Sequence, residues 1–112
     1  MKTVFEKIID GELPSEKVFE SRSMLVIKDI DPQAPIHLLI FPKKHWKNLQ
    51  AVPKNELGPL MEEVAAVAQQ LADQLGMAEG YRLLTNNGSE AGQTVFHLHF
   101  HMLGGRLLGK LG

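Results

Sequence analysis

His97, His99 and His101 fall at alternate positions in the stretch VFHLHFHMLGGR, residues 95–106. Imidazole changes charge near neutral pH and can act as ligand, nucleophile or proton donor, so three in one pattern ask for a chemical explanation. Side chains alternate between faces along a strand. That places Phe96, Leu98, Phe100 and Met102 on a core-facing side and the three histidines on the other. One histidine there would read as a hydrogen-bonded core residue, and alternating polar residues as a solvated face. Three in register, with no charged residue among them, point to a site.

Two chemistries compete for it. Neutral imidazole is a good zinc ligand. On a regular strand, however, the α-carbons of His97 and His101 would be about 13 Å apart, too far to share one ion without a bend, and a metal would need help from His37 or His45. The alternative is nucleophilic catalysis, in which one imidazole attacks while others orient it or hold developing negative charge. The preceding loop SEAGQTV, residues 89–95, brings glycine and hydroxyl donors to the strand entrance, where free amides could hold an anion such as phosphate. Gly88 and Gly92 suit an ordinary turn equally well.

The elements that must position these residues are legible from periodicity. Val4, Phe5, Ile8 and Ile9 have helical spacing up to Asp10-Gly11, which predicts a short N-terminal helix. Extended segments follow at 16–20, 24–30 and 36–41, each bounded by turn residues, and should form consecutive antiparallel strands. Leu57, Leu60, Met61, Val64, Val67, Ala68, Leu71 and Leu75 recur at three and four residues, giving one long amphipathic helix closed by Gly76. Pro59 fits only in its first turn, so the helix is placed to begin near Asn55. A strand at 81–85, a loop at 86–93 and the histidine strand at 94–103 complete the chain, with a loose tail at 107–112. No internal repeat or low-complexity linker interrupts it.

The 112 residues suffice for one domain with a hydrophobic core and are too few for two. A formal net charge of −1 gives no electrostatic reason to expect nucleic acid or a membrane as partner. The absence of cysteine excludes disulfides and thiolate metal sites and fits a reducing compartment. The opening MKTVFEKIIDGE is charged throughout, without the apolar run of a signal peptide, and the expected location is the cytoplasm.

The run His97-Leu98-His99-Phe100-His101-Met102-Leu103 resembles the pattern of the histidine triad (HIT) superfamily, in which three histidines alternate with apolar residues. Together with residues 8–21, 29–45 and 80–106, it is similar to the Hint branch, the histidine triad nucleotide-binding proteins, over nearly the whole chain. Lys43-Lys44-His45 and Gly104-Gly105-Arg106 favour that branch over the fragile histidine triad branch, although AGQTV occurs in both. The resemblance implies that His99 attacks the α-phosphorus of a nucleoside 5′-phosphoramidate and is transiently nucleotidylated before water releases the monophosphate. It places His101 on the phosphate, His37 and His97 beside the nucleophile, and Asn86, Gly92 and Thr94 near the phosphate or leaving group. Asp29 would bind the ribose hydroxyls, a natural role for a carboxylate facing a vicinal diol. Val4, Phe5, Ile8, Ile27, Ile30 and Leu39 correspond to the base slot, with Phe5, Ile8 and Ile30 the strongest candidates for touching a purine. His45 and Trp46 are given only a surface or edge role. Asn87, where relatives commonly carry an acid, Thr94 in place of a serine, and the short tail LLGKLG depart from the pattern and leave the leaving-group preference open.

The expectation is therefore an α+β fold: about five antiparallel strands, one long helix and a short N-terminal helix, paired into a homodimer through the long helix and the strand after it. The expected activity is purine nucleoside phosphoramidate hydrolysis without metal or cofactor. A dinucleoside polyphosphate hydrolase, a nucleotide-binding regulatory protein with little turnover, and a metalloprotein are the rival readings.

Overall fold

The computed structural model describes residues 1–111, so the last residue of the expected loose tail, Gly112, lies outside the described residues. The fold is α+β. Helix α1 (Val4–Ile9) is followed by strands β1 (Lys17–Glu20), β2 (Met24–Lys28) and β3 (Ile36–Pro42), the long helix α2 (Lys54–Gln74), and strands β4 (Tyr81–Leu84) and β5 (Phe100–Gly104). The strands form one antiparallel sheet in the order β1-β2-β3-β5-β4, with β3 at its centre.

The two faces of this sheet have different tenants. Met24, Val26, Leu38, Ile40, Leu98, Phe100 and Met102 pack with Leu60, Val64, Val67, Ala68, Leu71 and Ala72 of α2. On the opposite face Leu25, Ile27, Leu39 and Phe41 pack with Phe5 and Ile8 of α1. Strand β3 is thus covered on both sides, which is why its sequence HLLIF is almost uninterruptedly apolar. Helix α1 is only six residues long and is held by a reciprocal cap: Glu6 N–H donates to Thr3 Oγ1 at 3.1 Å, and Thr3 N–H to Glu6 Oε1 at 2.8 Å. Phe5 then stacks on Phe41 with ring centroids 4.6 Å apart, fixing the helix over the sheet.

Several boundaries differ from the sequence expectation for identifiable reasons. Strand β2 stops at Lys28 because Asp29 Oδ1 accepts the Asp31 N–H at 2.8 Å and turns the chain. Helix α2 begins at Lys54, so Pro59 sits in its second turn rather than its first. Proline denies the Asn55 carbonyl its usual amide donor, but that segment is exposed and water can substitute. Beyond the helix, Gly76 at φ 71 and the Met77 N–H bond to the Ala72 carbonyl close a Schellman turn.

The largest departure concerns the histidine segment. Regular pairing begins only at Phe100, so His97 and His99 precede β5 and only His101 lies within it. The backbone before Phe100 is held by other partners: the Leu98 N–H donates to the Trp46 carbonyl at 2.7 Å, and Thr85 Oγ1 donates to the His99 carbonyl at 2.6 Å. Leu98, Phe100 and Met102 still reach the α2 core, but Phe96 is 37% exposed rather than buried on that face. Arg82 Nη2 of β4 donates to the Gly109 carbonyl of the tail at 2.7 Å. No helix among the described residues is long and apolar enough to cross a membrane.

Candidate active site

The site face of the sheet carries four histidines whose hydrogen-bond partners fix where each proton lies. His97 is completely buried, and its Nε2–H donates to the Pro42 carbonyl at 2.7 Å. His99 Nδ1–H donates to the His97 carbonyl at 2.8 Å, leaving the His99 Nε2 lone pair bare. His37 Nδ1 accepts the Gln33 N–H at 3.0 Å, so its Nε2 carries the proton and donates to His101 Nδ1 at 2.9 Å. The proton of His101 is therefore on Nε2, available to an incoming acceptor. His45 Nε2–H donates to the Phe96 carbonyl at 2.9 Å. Among the described residues, His99 is thus the one histidine whose Nε2 is unprotonated.

The electrostatics agree with neutral rings. Burial holds His97 and His99 below the usual imidazole range. Burial also lowers His101, helped by the nearby His99 and His37, to about 4. The His99 and His101 ring centroids are 5.2 Å apart, so a ring with a bare Nε2 neighbours a ring with an Nε2–H donor. A nucleophile beside a donor suits attack on an atom bearing anionic oxygens.

Asp29, His37 and His101 offer ligand atoms within 4.8 Å of one another, as a metal would require. The donor set nevertheless fits a metal poorly. To ligate through Nε2, neutral His37 would have to move its proton to Nδ1, where the Gln33 N–H already points. Asp29 Oδ2 instead lies 3.3 Å from His37 Nε2, where it favours the same proton position.

Beside the histidines runs an apolar cleft of about 220 Å³. Val4, Phe5, Ile8, Ile27, Ile30 and Leu39 all line it, with Asp29 in its wall. Phe5 joins cleft and histidines, its ring edge-on to His99 at 4.8 Å between centroids. Ile30 is fully exposed in that wall, so it is a rim residue rather than part of the core. Asn86 is half-buried, while Gly92 and Thr94 are exposed on the loop leading in. Among the described residues none of these three hydrogen-bonds to a histidine.

Other contributors escaped sequence reasoning. The Gln33 amide and the Pro42 carbonyl are backbone groups, with no signal in residue type. Gln93 is buried, donates to the Lys47 and Val95 carbonyls and accepts the Gly88 N–H, thereby pinning the loop before the histidines. Ser15 also lines the cleft, and its buried Oγ has no protein partner among the described residues. His45 is exposed at the edge of the site, but its ring also packs on His97 at 5.1 Å.

Comparison with known proteins supplies the context. The HIT domain family model matches residues 10–108. A HIT-like protein of Chlamydia pneumoniae is 53% identical over 109 residues, covering 97% of this chain and 98% of the relative. Among solved structures, a HIT family hydrolase from Legionella pneumophila superimposes with TM-score 0.92 at 43% identity, covering 96% of each chain. A histidine triad nucleotide-binding protein from Candida albicans superimposes with TM-score 0.81 at 32% identity, covering 99% of this chain and 86% of that one.

Proposed function

Because the chain belongs to the HIT family, we propose that it is a Hint-type nucleoside 5′-phosphoramidate hydrolase acting on purine nucleotides. His99 Nε2 attacks the α-phosphorus, the P–N bond breaks, and the departing amine takes up a proton from a histidine or hydroxyl donor at the site. Water then attacks the nucleotidyl-His99 intermediate, returns a proton to that donor and releases the nucleoside monophosphate, leaving the imidazole in its neutral form.

One observation carries this reading: His99 is the histidine whose Nδ1 proton is tied to a carbonyl and whose Nε2 is free. His101 Nε2–H is suited to a non-bridging phosphate oxygen, where it stabilises the charge that grows as the nucleophile attacks. His37 supports His101, and His97 supports His99 through its carbonyl. The apolar cleft suits a purine between Phe5, Ile8 and Ile30. Asp29 in its wall would take the ribose hydroxyls, and the loop carrying Asn86, Gly92 and Thr94 would flank the phosphate. Neutral imidazoles and amide donors can supply the stabilisation, so the reaction needs no metal or cofactor.

A homodimer suits the sheet. Among the described residues strand β4 pairs with β5 alone, which leaves its other edge open, and Leu83 on it is 36% exposed. Met61 and Leu75, apolar positions of the helical pattern, are 37% and 41% exposed on and just after α2, where a partner would cover them.

The test is AMP release from adenosine 5′-phosphoramidate by purified protein in excess chelator, with His99→Ala alongside. Chelator-resistant turnover lost in the variant supports the reading. An inactive wild type would sink it, and rapid cleavage of diadenosine triphosphate instead would move the assignment to the dinucleoside polyphosphate hydrolases.

A further inference from the structure

The proton order of the histidine network has an origin outside the histidines. Gln33 sits in the loop between β2 and β3, and its N–H donates to His37 Nδ1 at 3.0 Å. The carbonyl of the same residue accepts Arg106 Nη2 at 3.0 Å, while Arg106 Nη1 donates to the Leu107 carbonyl at 2.9 Å. The guanidinium fork thus ties the turn after β5 to the loop before β3. That turn is seated closely: a Cβ on Gly105, at φ 93, would lie 3.0 Å from Pro35 Cβ. Gln33 Nε2 also donates to the Asp31 carbonyl at 3.1 Å, closing the loop on itself.

We propose that Arg106 is a positioning residue that, by holding Gln33 against His37, fixes the tautomers of His37 and His101 and so presents an N–H donor to the reaction site. With Gln33 in place, His37 accepts at Nδ1 and donates from Nε2, and His101 must accept at Nδ1 and donate from Nε2. When Gln33 drifts, His37 can carry its proton on Nδ1 and offer a lone pair from Nε2. His101 then turns its proton toward His37, and its own Nε2 meets the substrate as a bare lone pair. A phosphate oxygen would find repulsion where it had found a donor. Asp29 Oδ2, 3.3 Å from His37 Nε2, opposes that reversal, so loss of Arg106 should produce a mixed population rather than full inversion.

The kinetic half of this inference rests on the phosphoramidate hydrolase reading, whereas the tautomers can be observed without turnover. Long-range proton–nitrogen NMR of the histidine rings should show Nε2–H forms for His37 and His101 in the wild-type protein. In Arg106→Ala the Nδ1–H form should appear for both, with kcat down about fivefold, the scale of one ordinary hydrogen bond, and KM nearly unchanged. Gly105→Ala, which presses on Pro35 but keeps the guanidinium, should move the tautomers the same way, and it serves if Arg106→Ala fails to fold. Unchanged ring spectra in folded variants overturn the proposal even if activity falls. Shifted tautomers in a protein that never hydrolyses phosphoramidates leave it standing and remove the functional reading instead.

Discussion

His99 Nδ1 lies 2.8 Å from the carbonyl of His97, two residues earlier in the same chain. This short loop of bonding dictates which ring nitrogen of His99 keeps its lone pair, and His97 is itself anchored through Nε2 to the Pro42 carbonyl. Replacing His99 by alanine should therefore cut turnover by about four orders of magnitude or more while nucleotide affinity stays within a few-fold. Replacing His101 by alanine, which in the proposed reaction removes a charge-stabilising donor, should cost about a hundred- to a thousandfold. Acid-quench trapping of nucleotidylated protein separates the two roles: label in His99→Ala would mean that another residue attacks.

Acid should weaken the fold before it protonates the site. Burial lowers the pKa of His97, His99 and His101, the last to about 4 from an ordinary value of 6.5. Between those two values the unfolded chain carries His101 protonated while the folded chain keeps it neutral. The unfolded state binds more protons there, so stability is lost as pH falls from 6.5 toward 4. Urea titrations at pH 7 and pH 5 should show the lower midpoint at pH 5, with a smaller difference in His101→Asn. For the same reason the acid limb of kcat should fall below the range of a free imidazole; a limb at or above it would contradict a buried neutral nucleophile.

Ser15 places a buried hydroxyl without a protein partner in the wall of the cleft. An unsatisfied buried hydroxyl costs about 1–3 kcal/mol, so Ser15→Ala should leave the free protein as stable or slightly more so in chemical denaturation. Weaker purine nucleotide binding in the same variant would identify the hydroxyl as a ligand contact. A clear loss of stability would show that Oγ has a partner in solution.

Gln93 is a structural keystone of the loop before the histidines. Gln93→Met keeps the length of the side chain but strands one amide and two carbonyls. We expect a loss of about 2–4 kcal/mol by urea unfolding. A change under about 0.5 kcal/mol would mean that water replaces all three bonds at little cost.

Much of this was visible in residue order, and the remainder was hidden for definite reasons. The spacing of Leu60, Val64, Val67, Ala68 and Leu71 specifies α2 because burial on one face of a helix leaves a periodic trace. The six apolar residues assigned to the base slot do line one cleft, although composition alone could not separate them from ordinary core. The histidine segment misled because alternation persists while pairing does not: His97 and His99 alternate with buried neighbours, yet the Leu98 N–H between them goes to the Trp46 carbonyl and the His99 carbonyl accepts from Thr85 Oγ1, instead of pairing with a strand. Which groups fix the proton positions was out of reach, since the Gln33 N–H and the His97 and Pro42 carbonyls are backbone groups that every sequence contains.

The break in pairing between His99 and Phe100 assigns neighbouring histidines to different cooperative units. His101 lies in the ladder between β3 and β4 and can leave only when the sheet itself opens. His99 hangs on a handful of isolated bonds, so its segment can exchange its amide protons through small excursions that leave the sheet zipped. In the proposed reaction such a segment could yield as His99 gains and sheds a nucleotidyl group, while His101 remains a stationary reference.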